Sequence, residues 1–182
     1  MSNTVVIIPS RLKARRLPNK PLKTIMGVEM ILHVYNLAKN SNIGEVLVAT
    51  PDQDIAQLIK KNGGKAFISG KKHETGTDRI FEAFEKYFSS EPKIIINLQG
   101  DLPNLNPDAL IQINKHMSNN LCDIATLASK IKNKDELIDK NVVKVITRDN
   151  IEKSGFSVAL DFQRNLSNIE NKFIYHHIGI YA

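Results

Sequence analysis

The 182-residue sequence predicts an α/β fold, a mostly parallel central sheet flanked by helices. Apolar, β-branched runs alternate with segments whose apolar residues recur three and four apart, the pattern of strand–helix–strand units. The runs are hydrophobic almost without interruption, which requires both faces of the sheet to be covered. Past Met117 the pattern moves from strand–helix units to strand after strand.

In chain order, "TVVII" (Thr4 to Ile8) is the first strand, followed by "EVLVAT" (Glu45 to Thr50), "KAFIS" (Lys65 to Ser69) and "KIIINL" (Lys93 to Leu98). Between them, one-sided stripes mark helices: Met30, Ile31, Val34, Leu37 and Ala38; then Ile55, Leu58 and Ile59; then Ile80, Phe81, Phe84 and Phe88. Gly63 and Gly64 close the second helix, Thr77 is the expected N-cap of the third, and Asn106 with Pro107 opens a fourth. Strands are expected around "DIATLAS", at Val142 to Arg148 and in "FSVALDF", with a turn at Asp149 and Asn150. The sequence stops at "FIYHHIGIYA" inside a strand, so the fold reads as C-terminally incomplete.

The length suits a single domain over 1–182. The apolar runs are too short to span a bilayer and no signal peptide precedes them, which predicts a cytoplasmic protein with no membrane partner. Cys122 stands alone, which excludes an internal disulfide and a cysteine-rich zinc site; it is expected to be buried. A net charge of +6 favours anionic partners. The basic run lacks aromatics and the chain has no Trp, which argues against nucleic acid and for a small, dense polyanion.

Ligands of open α/β sheets bind beyond the carboxyl ends of the strands, and three loops there carry chemistry. In "IIPSRLKARRLPNKPL" and the lysine that follows it, six cations fall within residues 11–23 (Arg11, Lys13, Arg15, Arg16, Lys20, Lys23), with no acid before Glu29. No Walker loop and no G-x-G-x-x-G occurs, so side-chain cations must hold any phosphate, and Pro9, Pro18 and Pro21 stiffen the loop around Arg11, Arg16 and Lys20. In "KKHETGTDRI", Thr75, Gly76 and Thr77 put hydroxyls and free N–H groups at a helix start. Arg79 lies in its first turn, where a cation needs an anionic partner. A plain capping turn with a surface arginine is the alternative. In "NLQGDLP", Gly100 allows a tight turn and Asp101 is placed to hold Mg²⁺ against phosphates. Together the loops point to nucleotidyl transfer. His33 and His116 read as structural, and His176 and His177 as facing opposite ways along a strand.

These segments, with "VATPDQDIA", "NVVKV" and "HHIGIY", closely resemble CMP-Kdo synthetase, the 3-deoxy-manno-octulosonate (Kdo) cytidylyltransferase family of lipopolysaccharide synthesis, across essentially the whole chain. The resemblance implies the Rossmann-like nucleotide-diphospho-sugar transferase fold and the transfer of CMP from CTP to the anomeric hydroxyl of Kdo. Arg11, Arg16 and Lys20 match the CTP phosphate binders and Asp101 a magnesium ligand. Thr75, Gly76 and Thr77 match positions near cytosine and ribose, and Arg79, Gln99 and His177 positions facing the Kdo acid.

Some features depart from the family. Leu102 stands where the family has an acid, Ala14 and Arg15 where it often has hydroxyl residues, and "FSVALDFQRN" replaces an arm that contacts a twin subunit, so a homodimer is only suggested. A V-D-T-P-E-D-like segment, whose aspartate resembles a second metal ligand, has no counterpart in the sequence. A truncated, non-catalytic nucleotide-binding paralogue and a transferase for amino-Kdo or sialic acid remain open alternatives.

Overall fold

A computed structural model describes residues 3–13, 17–70, 73–119, 122–166 and 173–182. It divides into two compact units, residues 1–125 with 180–182, and Thr126–Gly179.

The first unit contains β1 (Thr4–Pro9), a 3-10 turn at Lys20–Leu22, a hairpin of β2 (Thr24–Ile25) and β3 (Val28–Glu29), α1 (Met30–Asn40), β4 (Glu45–Thr50), α2 (Gln53–Lys61), β5 (Lys65–Ile68), α3 (Gly76–Tyr87), β6 (Ile94–Asn97) and α4 (Pro107–Ser118). Its sheet runs β5-β4-β1-β6 with every neighbour parallel, so β1 is central and all six of its residues are buried. Side chains alternate across it. Val5 and Ile7 pack with Leu47, Ala49, Ile80 and Ala83 under α3, while Ile8 lies on the other face, toward Ile31 of α1. Burying each such side chain contributes about 1.5–3 kcal/mol, which makes β1 the axis of the core.

The element starts follow local chemistry. Asn106 Oδ1 accepts the Asp108 N–H at 3.0 Å with Pro107 behind it, as the sequence suggested. Asn62 caps α2 and Gly63 follows at φ +73. At α3 the N-cap is Thr75 and not Thr77. Thr75 Oγ1 accepts the Asp78 N–H at 3.2 Å and the Asp78 carboxylate accepts the Thr75 N–H at 3.1 Å, a reciprocal box that Thr77, one residue inside the helix, has no geometry to make. Phe81 also departs from the expected stripe. It is 59% exposed, because Ile80, Ala83 and Phe84 already fill the arc facing the sheet.

The second unit holds β7 (Thr126–Ser129), α5 (Lys134–Ile138), β8 (Lys144–Thr147), α6 (Ile151–Ser154), β9 (Ala159–Gln163) and most of β10 (Phe173–Tyr181). β8 pairs antiparallel with β9 and with β10. The final residues of β10 belong to the first unit, where Tyr181 pairs antiparallel with Asn97 of β6. The chain turns at Asp149 and Asn150 as expected, and runs on into the short helix α6, which Asn150 caps by accepting the Glu152 N–H on Oδ1. The strand read in "FSVALDF" begins only at Ala159. Lys144 is fully buried without a carboxylate: its Nζ donates to the carbonyls of Asp139 (2.7 Å), Val142 (2.9 Å) and Arg164 (2.8 Å). Cys122, expected inside, is exposed, because it falls in the connection between α4 and β7.

The β2–β3 hairpin turns through Met26 (φ +50) and Gly27 (φ +82), both left-handed, a turn that favours Asn-Gly. Met26 is 98% exposed, so its side chain offsets none of the strain. Met26→Asn is expected to raise stability by about 0.5–1 kcal/mol in urea unfolding, with no change in the transition's steepness.

Candidate active site

Three chain segments meet at the carboxyl end of β1. Pro9, Ser10 and Arg11 leave the strand, Gln99, Gly100 and Asp101 leave β6, and Gly76 and Arg79 open α3. With Lys20, Pro21 and Met30 they line a cleft of about 290 Å³. Glycine lets the backbone approach closely at two points. A Cβ on Gly100 would lie 3.0 Å from the Pro9 carbonyl oxygen, and one on Gly76 would lie 3.2 Å from the Pro9 ring.

The basic loop is tied down at its root. Leu12 N–H donates to Asp52 Oδ2 at 2.8 Å, and Asp52 N–H in turn donates to Thr50 Oγ1 at 3.1 Å. Asn19 N–H returns to the Leu12 carbonyl at 3.1 Å, which closes the loop before the 3-10 turn delivers Lys20. Lys20 Nζ donates to Asp101 Oδ2 at 3.0 Å, so the expected phosphate cation and the expected metal ligand are paired with each other. At 37% and 54% side-chain exposure the pair adds little to stability and separates readily when better partners arrive.

The α3 loop is held from below by Glu82, which is 5% exposed. Its carboxylate accepts from Lys86 Nζ (2.9 Å) and Ser69 Oγ (2.7 Å) and lies 2.6 Å from His73 Nε2. The Lys86 bond, then those of His73 and Ser69, lower its pKa to about 2. Arg79 is 4% exposed. Burial pulls its guanidinium below its ordinary value and the Arg11 charge adds to this, while Asp52 and Glu82 oppose. It stays protonated and asks for an anion. Gln99 is aimed by Asn97, whose Oδ1 accepts its Nε2–H at 2.8 Å.

Of the residues singled out in the sequence, the cleft gathers Arg11, Lys20, Gly76, Arg79, Gln99 and Asp101. Thr75 is spent on its capping box and Thr77 is exposed outside the cleft lining. Arg16 lies outside the described residues. His177 belongs to the second unit, where Nε2 is 2.9 Å from Thr126 Oγ1 and the ring meets Phe162 edge-on. Burial, then the charge of His176, lowers its pKa. His33 is structural as expected, with Nε2 2.9 Å from the Ile25 carbonyl. Asp52, Glu82 and His73 were not singled out; the signal for Asp52 was its place just after a strand end, in "VATPDQDIA".

Among the described residues no cluster of three or more His, Cys, Asp or Glu side chains could hold a metal unaided. Asp101 is the single acid of the cleft lining, and Leu102 adds none. One hard oxygen donor beside cations fits a magnesium ion that takes its remaining ligands from phosphate and water.

A cytidylyltransferase family model matches residues 5–182. The chain belongs to the cytidylyltransferase family. Relatives of this cytidylyltransferase chain include the 3-deoxy-manno-octulosonate cytidylyltransferase of Wigglesworthia glossinidia brevipalpis, 39% identical over 98% of this chain and 74% of the relative. That of Rhodopseudomonas palustris (strain BisB18) is 39% identical over 100% and 74%. Among solved structures, a CMP:2-keto-3-deoxy-manno-octonic acid synthetase complexed with CTP superposes with TM-score 0.83 at 35% identity, covering 98% of this chain and 72% of the other. A nucleotidyl transferase from Methanothermobacter, 14% identical with TM-score 0.58 over 73% of this chain and 67% of its own, shares the fold. No helix among the described residues is long and apolar enough to cross a membrane.

Two outcomes test the frame of the site. Gly100→Ala should cost about 1–3 kcal/mol of stability, since Pro9 and Ile31 must both give way. Glu82 is depressed from 4.5 to about 2, so its contribution is full above pH 4.5 and is lost as pH falls toward 2. Acid unfolding curves of Glu82→Gln should lack that part of the slope.

Proposed function

We propose that this chain transfers CMP from CTP to the anomeric hydroxyl of Kdo, giving CMP-Kdo and pyrophosphate for lipopolysaccharide synthesis in the cytoplasm. The observation that carries the reading is the cleft itself: Arg11, Lys20 and Arg79 converge there with one carboxylate, at the strand ends where this family's fold binds nucleotide. The likeness to a synthetase complexed with CTP supports the same donor. Both units are read as one nucleotidyltransferase domain, since the family model runs through both.

In the reaction the anomeric oxygen attacks the α phosphorus of CTP, the bond from that phosphorus to the bridging oxygen breaks, and pyrophosphate leaves. Arg11, Arg16 and Lys20 hold the phosphates, and the Arg fork fixes their orientation while Lys20 adds a point charge. The opening of α3, Thr75 to Thr77, is assigned to cytosine and ribose; with Thr75 Oγ1 engaged in its cap, the backbone of Gly76 is the part that faces the cleft. Arg79 and Gln99 orient the sugar acid, and the motif assigns His177 to it as well. Asp101 would hold Mg²⁺, which when bound neutralises charge on the phosphates. With Asp101 so engaged, Lys20, its ion-pair partner here, would be free to hold the phosphates. A twin subunit is supported by the exposed Leu160 and Phe162 on one side of β9.

Pyrophosphate release should require CTP, Kdo and magnesium together, and amino-Kdo or sialic acid should serve poorly. Lys20→Ala should raise KM for CTP roughly tenfold or more, whereas Asp101→Asn should lower kcat by about a hundredfold or more. CTP affinity without turnover would show a binding module, and normal turnover in Asp101→Asn would remove that residue from the metal site.

A further inference from the structure

Two buried side-chain polar atoms lack a hydrogen-bond partner among the described residues: Ser10 Oγ and Arg79 Nε. Ser10 is 6% exposed and Arg79 4%, and both line the cleft. Buried donors are nearly always paired, because an orphan gives up water for nothing, so each needs an explanation.

Local structure provides none. The Ser10 N–H is satisfied by the Ala49 carbonyl at 2.9 Å, which leaves the hydroxyl outside the backbone's own bonding. The acids near Arg79 are engaged elsewhere: Asp52 Oδ2 accepts from Leu12, and Glu82 is occupied by Ser69, His73 and Lys86. Arg11 adds positive potential beside Arg79. A hydroxyl donor and a cationic N–H donor, both dry and both carried by residues that line one cleft, match the needs of an oxyanion.

We propose that Ser10 Oγ and Arg79 Nε hold one substrate oxyanion between them, which makes Ser10 a specificity-determining residue of the reaction. This rests on the cytidylyltransferase reading above. The oxyanion has two sources, a CTP phosphate or the carboxylate of the sugar acid, and the hydroxyl serves either by the same chemistry.

The test is Ser10→Ala in the full chain. Its thermal midpoint in the absence of substrate should be unchanged or higher, since an unpaired hydroxyl is removed. One KM should rise about tenfold, the loss of one hydrogen bond to a charged group, while the other stays within about twofold. A rise for CTP identifies a phosphate, and a rise for Kdo the carboxylate. With Arg79→Lys, the second substitution should cost less in the Ser10→Ala background than alone, as two groups on one anion require. Unchanged KM values in a folded Ser10→Ala protein overturn the proposal, as does a lowered midpoint or failure to fold, which would make the hydroxyl structural. If the unsubstituted chain shows no turnover, the cytidylyltransferase reading falls by itself. Ser10 is then judged by calorimetric titration of CTP and of Kdo separately, where equal affinities in both proteins overturn it.

Discussion

Two glycines crowd Pro9, leaving little space for a side chain at either. Because Gly100 approaches the Pro9 carbonyl and Gly76 its ring, the loops after β1 and β6 and the start of α3 are pressed into one corner. That corner is rigid on one side, since β1 is buried along its whole length between two parallel neighbours. The cleft exists because the strand cannot move and the loops cannot spread. Three side chains of the cleft therefore inherit their positions from packing and not from each other: Arg11, Gln99 and Arg79.

Charge is arranged on two levels around this corner. The exposed Lys20–Asp101 pair is weak, and its worth lies in keeping two opposite charges compensated until other partners come. Glu82 is the opposite case. It is buried, its carboxylate has three partners, and it binds the segment before α3 to the helix that follows. Arg79 sits between these levels, buried at the cleft lining with its Nε unpartnered among the described residues, an arrangement that an anion would relieve.

Much of this was legible in the sequence. The parallel strands announced themselves through uninterrupted β-branched runs, and Glu45–Thr50 was read to the residue. Six of the ten site residues expected from the loops and the family resemblance line the cleft, because strand ends in this architecture point to one edge of the sheet. What the sequence hid were reciprocal contacts. Thr75 and Thr77 are equivalent by type, and only the return bond from Asp78 decides which one caps α3. Glu82 was not singled out in the sequence, since its partners Ser69 and His73 come from the preceding loop and become neighbours only after folding. Phe81 fits a hydrophobic stripe on paper, yet smaller residues fill the buried arc first.

The ammonium of Lys144 has a consequence for the second unit. An apolar centre can accept a sliding strand by repacking, whereas three carbonyl oxygens from Asp139, Val142 and Arg164 aimed at one nitrogen cannot. A slip of one residue between β8 and β9 would carry the Arg164 carbonyl, which follows β9, out of line with Lys144 and leave a buried ammonium one acceptor short. The unit thus carries a register marker, in which one polar contact across a short antiparallel pair favours a single alignment.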